Sequence, residues 1–144
     1  MPDIEEVVDF PPLGPTTYEP AGYGASGGST FEQGTSITSS SSANTKGSWT
    51  QLIASTTYKV VGIMVYLEYN GAAILMVDIG TGASGSEAAL IPDIFVDFES
   101  STGPQTVGIF FPVQIPVGTR IAARCQATAA SKSVFVSLSL IEAP

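Results

Sequence analysis

Val61, Ile63, Val65, Leu67 and Tyr69 occupy every second position of one stretch. That is the period of a β-strand, whose side chains point alternately to its two faces. The same pattern recurs from Trp49 to the C-terminus. Ile121, Ala123 and Cys125 alternate with Arg120, Ala122 and Arg124, and Val134, Val136, Leu138 and Leu140 alternate with Ser137 and Ser139. Further strands are expected at Trp49 to Ala54, Ala72 to Ile79, Ala88 to Ile91, Ile94 to Phe98 and Val107 to Ile115. Pro112 and Pro116 mark the last of these as an edge strand or a bulge. No segment carries a helical period. Seven or eight short strands with frequent turns predict an all-β fold, an antiparallel sandwich of jelly-roll type.

Asn70-Gly71 is a strong hairpin signal, because both residues tolerate positive φ. A two-residue turn there pairs Leu67 with Ile74, Val65 with Met76 and Ile63 with Asp78. The other face of that hairpin then holds Met64, Tyr66, Leu75 and Val77. Both faces are apolar, whereas an antiparallel sheet commonly has one wet face. Two readings follow: loops or the N-terminal segment cover the second face, or Met64, Tyr66, Leu75 and Val77 form an oligomer interface.

Residues 1–47 read differently from 48–144. Pro11, Pro12, Pro15 and Pro20 favour extended backbone, and Gly22, Gly24, Gly27, Gly28 and the run Ser39 to Ser42 have linker composition. Apolar residues are still spaced through this segment. The reading is an extended arm of 1–47 that anchors to a partner through Ile4, Val7, Phe10, Leu13, Tyr18, Tyr23 and Phe31, followed by a sandwich domain of 48–144.

Charge separates the same two parts. The net charge is −8, and Asp3, Glu5, Glu6, Asp9, Glu19 and Glu32 all precede the first basic residue, Lys46. The remainder holds 7 acids against 5 Lys and Arg, about −2. Nucleic-acid binding needs a basic patch to displace counterions, and this sequence has none. An acidic arm suits a basic protein groove, with Asp3, Glu5 and Glu6 beside the apolar anchors. Charged residues make up only 12% of the chain, which points to surface buried against other chains or to a surface made polar by Ser, Thr and Gly.

Little in the sequence supports catalysis. There is no His and one cysteine, Cys125, so neither an internal disulfide nor a His-dependent nucleophile is available, and a metal site is poorly supplied. Cys125 falls on the inward phase of its strand. Arg120 and Arg124 share the opposite phase, facing solvent or acids of the arm or a neighbour. Gly80-Thr81-Gly82-Ala83-Ser84-Gly85 matches G-x-G-x-x-G, but Pro92 follows too soon for the helix a dinucleotide site requires. Ser84, Ser86 and Lys132 lack a spacing that favours a Ser-Lys pair. Asp93, Asp97 and Glu99 form a loop edge where Ca²⁺ binding is left open. No cofactor is implied. The acidic N-terminus lacks the basic region of a signal peptide, and the apolar stretches are too short to span a bilayer, so synthesis in the cytoplasm is expected.

Two stretches carry a resemblance. They are Val77-Asp78-Ile79-Gly80-Thr81-Gly82-Ala83-Ser84-Gly85-Ser86-Glu87 and Phe110-Phe111-Pro112-Val113-Gln114-Ile115-Pro116-Val117-Gly118-Thr119-Arg120-Ile121-Ala122-Ala123-Arg124. Over roughly residues 48–142 the chain is similar to small virion structural proteins of tailed bacteriophages. The resemblance implies a non-enzymatic capsid decoration (cement) protein that binds the major capsid protein or another virion protein. A homo-oligomer, most simply a trimer, located in the virion would follow. The alternative is a neck, tail or head-fibre component whose sandwich binds a glycan or receptor.

Overall fold

A computed structural model describes Pro20–Ala21, residues 34–99 and residues 103–143. The strands are β1 Pro20–Ala21, β2 Thr35–Thr38, β3 Thr50–Ile53, β4 Lys59–Asn70, β5 Ala73–Thr81, β6 Ala88–Phe98, β7 Pro104–Phe111, β8 Ile121–Ala127 and β9 Ser133–Ala143. Among the described residues there is no helix. The period-two segments are strands, as their patterning requires, and Ala88 to Phe98 is one bent strand rather than two.

Two antiparallel sheets pack face to face. Sheet A runs β2–β9–β4–β7, with β1 also on β9, and sheet B runs β3–β8–β5–β6. Four pairs are nested: β2 with β9, β3 with β8, β4 with β7, and β5 with β6. The chain is thus one long antiparallel ribbon wound up on itself, the jelly-roll arrangement. Its apex is the loop between Thr81 and Ala88, which holds Gly82 and Gly85 of the G-x-G-x-x-G match, while Gly80 is paired within β5. A strand follows that loop, and Gly82 and Gly85 adopt positive φ within it.

The Asn70-Gly71 hairpin expected from sequence does not form. β4 pairs with β7 and β9, so Leu67 faces Val107 and Val136, not Ile74. β5 lies in the other sheet, with Leu75 opposite Val96 and Ala127. The reason is parity. A two-residue turn sets odd-numbered residues of β4 on the same face as even-numbered residues of β5. The most apolar sets are odd in both strands: Ile63, Val65, Leu67 and Tyr69, then Leu75, Val77 and Ile79. Only a corner that carries the chain into the facing sheet lets both sets point inward. Gly71 permits that corner at φ +131°, a conformation that L side chains rarely adopt. All seven residues are buried.

The proposed boundary at residue 47/48 is also corrected. β2 pairs with β9 through Thr35–Thr38, and Ile37 is 1% exposed in the core. The serine run that reads as linker is tied down instead. Ser39 N–H donates to the Lys132 carbonyl, Lys132 N–H donates to Ser39 Oγ, and Asn44 and Gly47 donate to carbonyls of Ala127 and Cys125. Backbone hydrogen bonds, with one to the Ser39 hydroxyl, hold this connection, and hydropathy patterning does not register them. β7 is an edge strand of sheet A that ends just before Pro112, in line with the proline signal.

Tyr69 of sheet A stacks on Phe98 of sheet B near the β4–β5 corner, at 5.6 Å between ring centroids. Phe98 is 1% exposed. Phe98→Ala should leave a cavity there and cost about 4 kcal/mol of unfolding free energy in urea titration. A cost below about 1 kcal/mol would mean that this end of the sandwich is loosely packed.

Candidate interaction surfaces

The outer face of sheet A is apolar at its centre. In one row across the sheet lie Ser139, Met64 and Phe110, and in the next Ser137, Tyr66 and Gly108. Phe110 and Tyr66 are 48% and 38% exposed. Their rings lie close against glycines. A Cβ at Gly62 would come within 2.8 Å of the Phe110 ring, and one at Gly108 within 3.2 Å of the Tyr66 ring. Half-buried Ile141, opposite Gly62, and Phe135, opposite Glu68, extend the patch. The result is a smooth, aromatic-faced surface of the kind protein interfaces use at their centres.

This changes the interface expected from sequence. Met64 and Tyr66 do lie on an outer face. Leu75 and Val77 are 0% exposed between the two sheets, so they are core residues of the chain and line no surface. The parity argument explains the split, since the hairpin that grouped the four does not exist. Phe110, Phe135 and Ile141 take their place. A signal for them was present: Gly62 and Gly108 interrupt strand patterns, and a glycine inside a strand marks close approach by another group. The arm residues Asp3, Ile4, Glu5, Glu6, Val7, Phe10, Leu13, Tyr18, Tyr23 and Phe31 lie outside the described residues.

The outer face of sheet B is built around a buried carboxylate. Asp78 projects from β5 but is 2% exposed. Its Oδ1 accepts from Lys46 Nζ at 2.7 Å and from the Asp93 amide at 2.8 Å, and its Oδ2 accepts from Arg124 Nε at 2.8 Å. Lys46 also bridges to Asp93 at 2.6 Å. Asp93 sits in the bend of β6 after Pro92, at φ +53°, and Asp78 satisfies the amide that the irregular ladder leaves over. Arg124 stacks on Trp49, 4.5 Å from the ring centroid, and the Trp49 ring in turn lies against Gly80, where a Cβ would clash. Burial would raise the Asp78 carboxyl, but the Asp93 amide, Lys46 and Arg124 outweigh it and hold the group below its ordinary value. A carboxylate held ionised in this way serves as an anchor, not as a general acid.

Arg120 has the same kind of role at the ribbon apex. Its guanidinium contacts Glu87 at 2.7 Å, Gln51 at 2.9 Å and the Gly82 carbonyl at 3.3 Å. Glu87 is held below its usual value by its own backbone amide, then by Arg120 and the Gly85 amide. Both arginines read as facing solvent or a neighbour therefore pair with acids of their own domain. Sequence did not reveal this, because Asp78–Arg124 is a cross-strand pair between β5 and β8 and the register cannot be read from spacing.

The remaining candidates are dispersed. Ser84 and Ser86 are in the apex loop, whereas Lys132 precedes β9 at the opposite end of the strands. Asp97 and Glu99 are exposed on β6 and just after it, while Asp93 is engaged by Lys46. Among the described residues no group of three or more His, Cys, Asp or Glu is placed to hold a metal ion. Cys125 is fully buried, and burial pushes its thiol up to about 11, far from a reactive thiolate. An open groove of about 540 Å³ runs between β2 and the approach to β3, lined by Ser36, Thr38, Ser39, Ser40, Ser41, Lys46, Gly47, Ser48 and Thr50. Hydroxyls dominate it and no aromatic ring lines it.

Comparison with family models, with curated proteins and with solved structures gives no match.

The depressed Asp78 value makes the fold acid-sensitive. A carboxyl titrates near 3.9 when unfolded, about pH 4, and lower in the folded protein. Its stabilisation is therefore fully present above about pH 4 and is lost as pH falls through the folded value. Asp78→Asn should cost about 3 kcal/mol at pH 7, because Lys46 and Arg124 lose a buried counter-charge. It should also show a shallower fall in stability between pH 5 and pH 2 than the parent, to roughly the extent that one such linked group contributes. Equal slopes for the two proteins would remove Asp78 from the acid response.

Proposed function

We propose that this chain is a non-enzymatic structural protein of a virion, most simply a capsid decoration protein. In this reading its sandwich self-associates and its N-terminal segment, 1–33, binds capsid subunits. The observation that carries the reading is the outer face of sheet A. Tyr66 and Phe110 lie against Gly108 and Gly62 in the middle of that face, where a solitary soluble domain would be expected to present polar side chains. Support also comes from the jelly roll, an architecture used by viral capsid and lectin domains, although a fold alone does not assign function. The acids upstream of Lys46 and the resemblance over roughly 48–142 complete the case.

The described polar clusters pair among themselves. Asp78, Asp93 and Glu87 are occupied by Lys46, Arg124 and Arg120, and those cations are spent on the same pairs. This supports a protein whose charged groups fix its own loops and whose apolar surface does the binding.

The hydroxyl-lined groove beside β2 favours a second reading, a neck, tail or head-fibre component that binds a glycan there. The groove lacks an aromatic platform, so hydrogen bonds alone would hold a sugar.

Attachment to particles separates the two. Deleting residues 2–33 should leave the nested strands β2 to β9 intact, with an unchanged circular dichroism spectrum, and should abolish stable attachment to capsids. In virions the protein should be present at a copy number comparable to that of the capsid subunit. Attachment with unchanged affinity after deletion, or a copy number matching a single tail, would overturn the decoration reading.

A further inference from the structure

We infer that β7 pairs edge to edge with β7 of a second copy, antiparallel and centred on Gly108, so that sheet A runs on through two chains. The inference rests on the self-association read above and names its edge, register and symmetry.

β7 ends sheet A and lacks the devices that blunt an exposed edge. From Thr106 to Phe111 it carries no charge, no proline and no bulge against β4. β6, an edge of sheet B, has all three: Asp93 and Asp97, Pro92, and register shifts against β5. Val107, Ile109 and Phe111 lie opposite the core residues Leu67, Val65 and Ile63. They point inward yet are only half-buried, because the sheet stops there.

A proline fixes which backbone groups are free. Pro104 has no N–H, so its pair with Asn70 is of the kind that exchanges no bonds. Alternation then turns the backbone groups of Gln105, Val107, Ile109 and Phe111 towards β4. Those of Thr106, Gly108 and Phe110 point away from it. Among the described residues nothing bonds these three outward sets.

The edge is complementary to itself. With the axis at Gly108, Thr106 of each copy meets Phe110 of the other, and the two Gly108 residues meet. Each pair exchanges both its bonds. Pro104 of each copy falls at the end where the other has Pro112, so no bonding residue is set against a missing N–H. An axis at Val107 would oppose Phe110 to Pro104, and one at Ile109 would oppose Thr106 to Pro112. Each loses bonds twice over. An axis between residues would set outward-bonding residues against inward-bonding ones. The window thus reads the same in both directions, as an isologous contact requires, and without charge nothing at the axis repels itself.

The twofold axis stands outside the chain, between the two β7 strands and normal to the sheet. On the inner side Val107 of each copy lies opposite Ile109 of the other, which completes the cover that both lack. On the outer side the Tyr66 ring lies against Gly108 in each copy, and the two outer faces merge into one surface that stays open.

The full chain should sediment as a dimer at micromolar concentration, in place of the trimer suggested by resemblance. Hydrogen exchange should find the Gly108 and Phe110 amides protected. Thr106→Pro removes a donor that the single chain does not use, so its circular dichroism should be unchanged. It should weaken dimerisation by roughly tenfold or more, since two symmetric bonds are lost. Cysteines give a second, independent measurement. Thr106→Cys with Phe110→Cys sets two thiols four strand steps apart within one chain, about 13 Å. Across the axis their Cα atoms stand about 5.5 Å apart, within reach of a disulfide. Oxidation should link copies of the double variant and of neither single variant, while Cys125 stays buried. A monomer, a trimer, or a dimer with freely exchanging Gly108 and Phe110 amides would overturn the inference. So would undiminished dimerisation of a folded Thr106→Pro, or a double cysteine variant that does not link. A monomer that still attaches to capsids would keep the decoration reading, and one that does not attach would remove both.

Discussion

Between Asn70 and Ala73 the chain leaves sheet A and enters sheet B, and the rest of the domain depends on that crossing. The inward sets of β4 and β5 have the same parity, so they can share one core only if their strands belong to sheets that face each other. Once β4 and β5 are separated, β4 must take its partners from later in the chain, β7 and β9, and β5 must pair with β6 and β8. The nested ribbon follows. Tyr69 on Phe98 closes the sandwich close to the crossing, and Gly71 supplies the backbone conformation that permits it.

The same crossing assigns the outer faces. Asp78, which a hairpin would have set beside Ile63, lies instead on the outside of sheet B, where Lys46, Arg124 and the Asp93 amide reach it. Those contacts join the β2–β3 connection, β5, the bend of β6 and β8. On sheet A the outside is left to Met64, Tyr66 and Phe110. The outer face of sheet B thus combines a polar network that fixes its own strands with exposed Phe95, Ile74 and Leu90, and the outer face of sheet A presents Tyr66 and Phe110.

The strand pattern, the all-β class and the edge position of β7 were legible in the sequence because they follow from period two and from proline. The partner of each strand was not. Asn70-Gly71 suits either a tight hairpin or a corner, and only the parity of Leu75, Val77 and Ile79 against Ile63, Val65 and Leu67 distinguishes them. That signal was visible as an apparently two-faced hairpin, which led to Leu75 and Val77 being grouped with Met64 and Tyr66. β2 was missed because four residues of Thr, Ser, Ile and Thr carry one apolar side chain, and Ile37 finds its place only against the core. The ion pairs of Arg120 and Arg124 depend on cross-strand register, which no local spacing encodes. Phe110 was legible as a strand residue, and Gly62 could have marked it as lying against a neighbouring strand.

Cross-strand nuclear Overhauser effects test the crossing most directly. On a uniformly labelled sample, backbone contacts should link Tyr66 to both Gly108 and Ser137, and Met76 to both Phe95 and Gln126. Contacts between Val65 and Met76, or between Leu67 and Ile74, would restore the hairpin and contradict the division of the two faces on which the account stands.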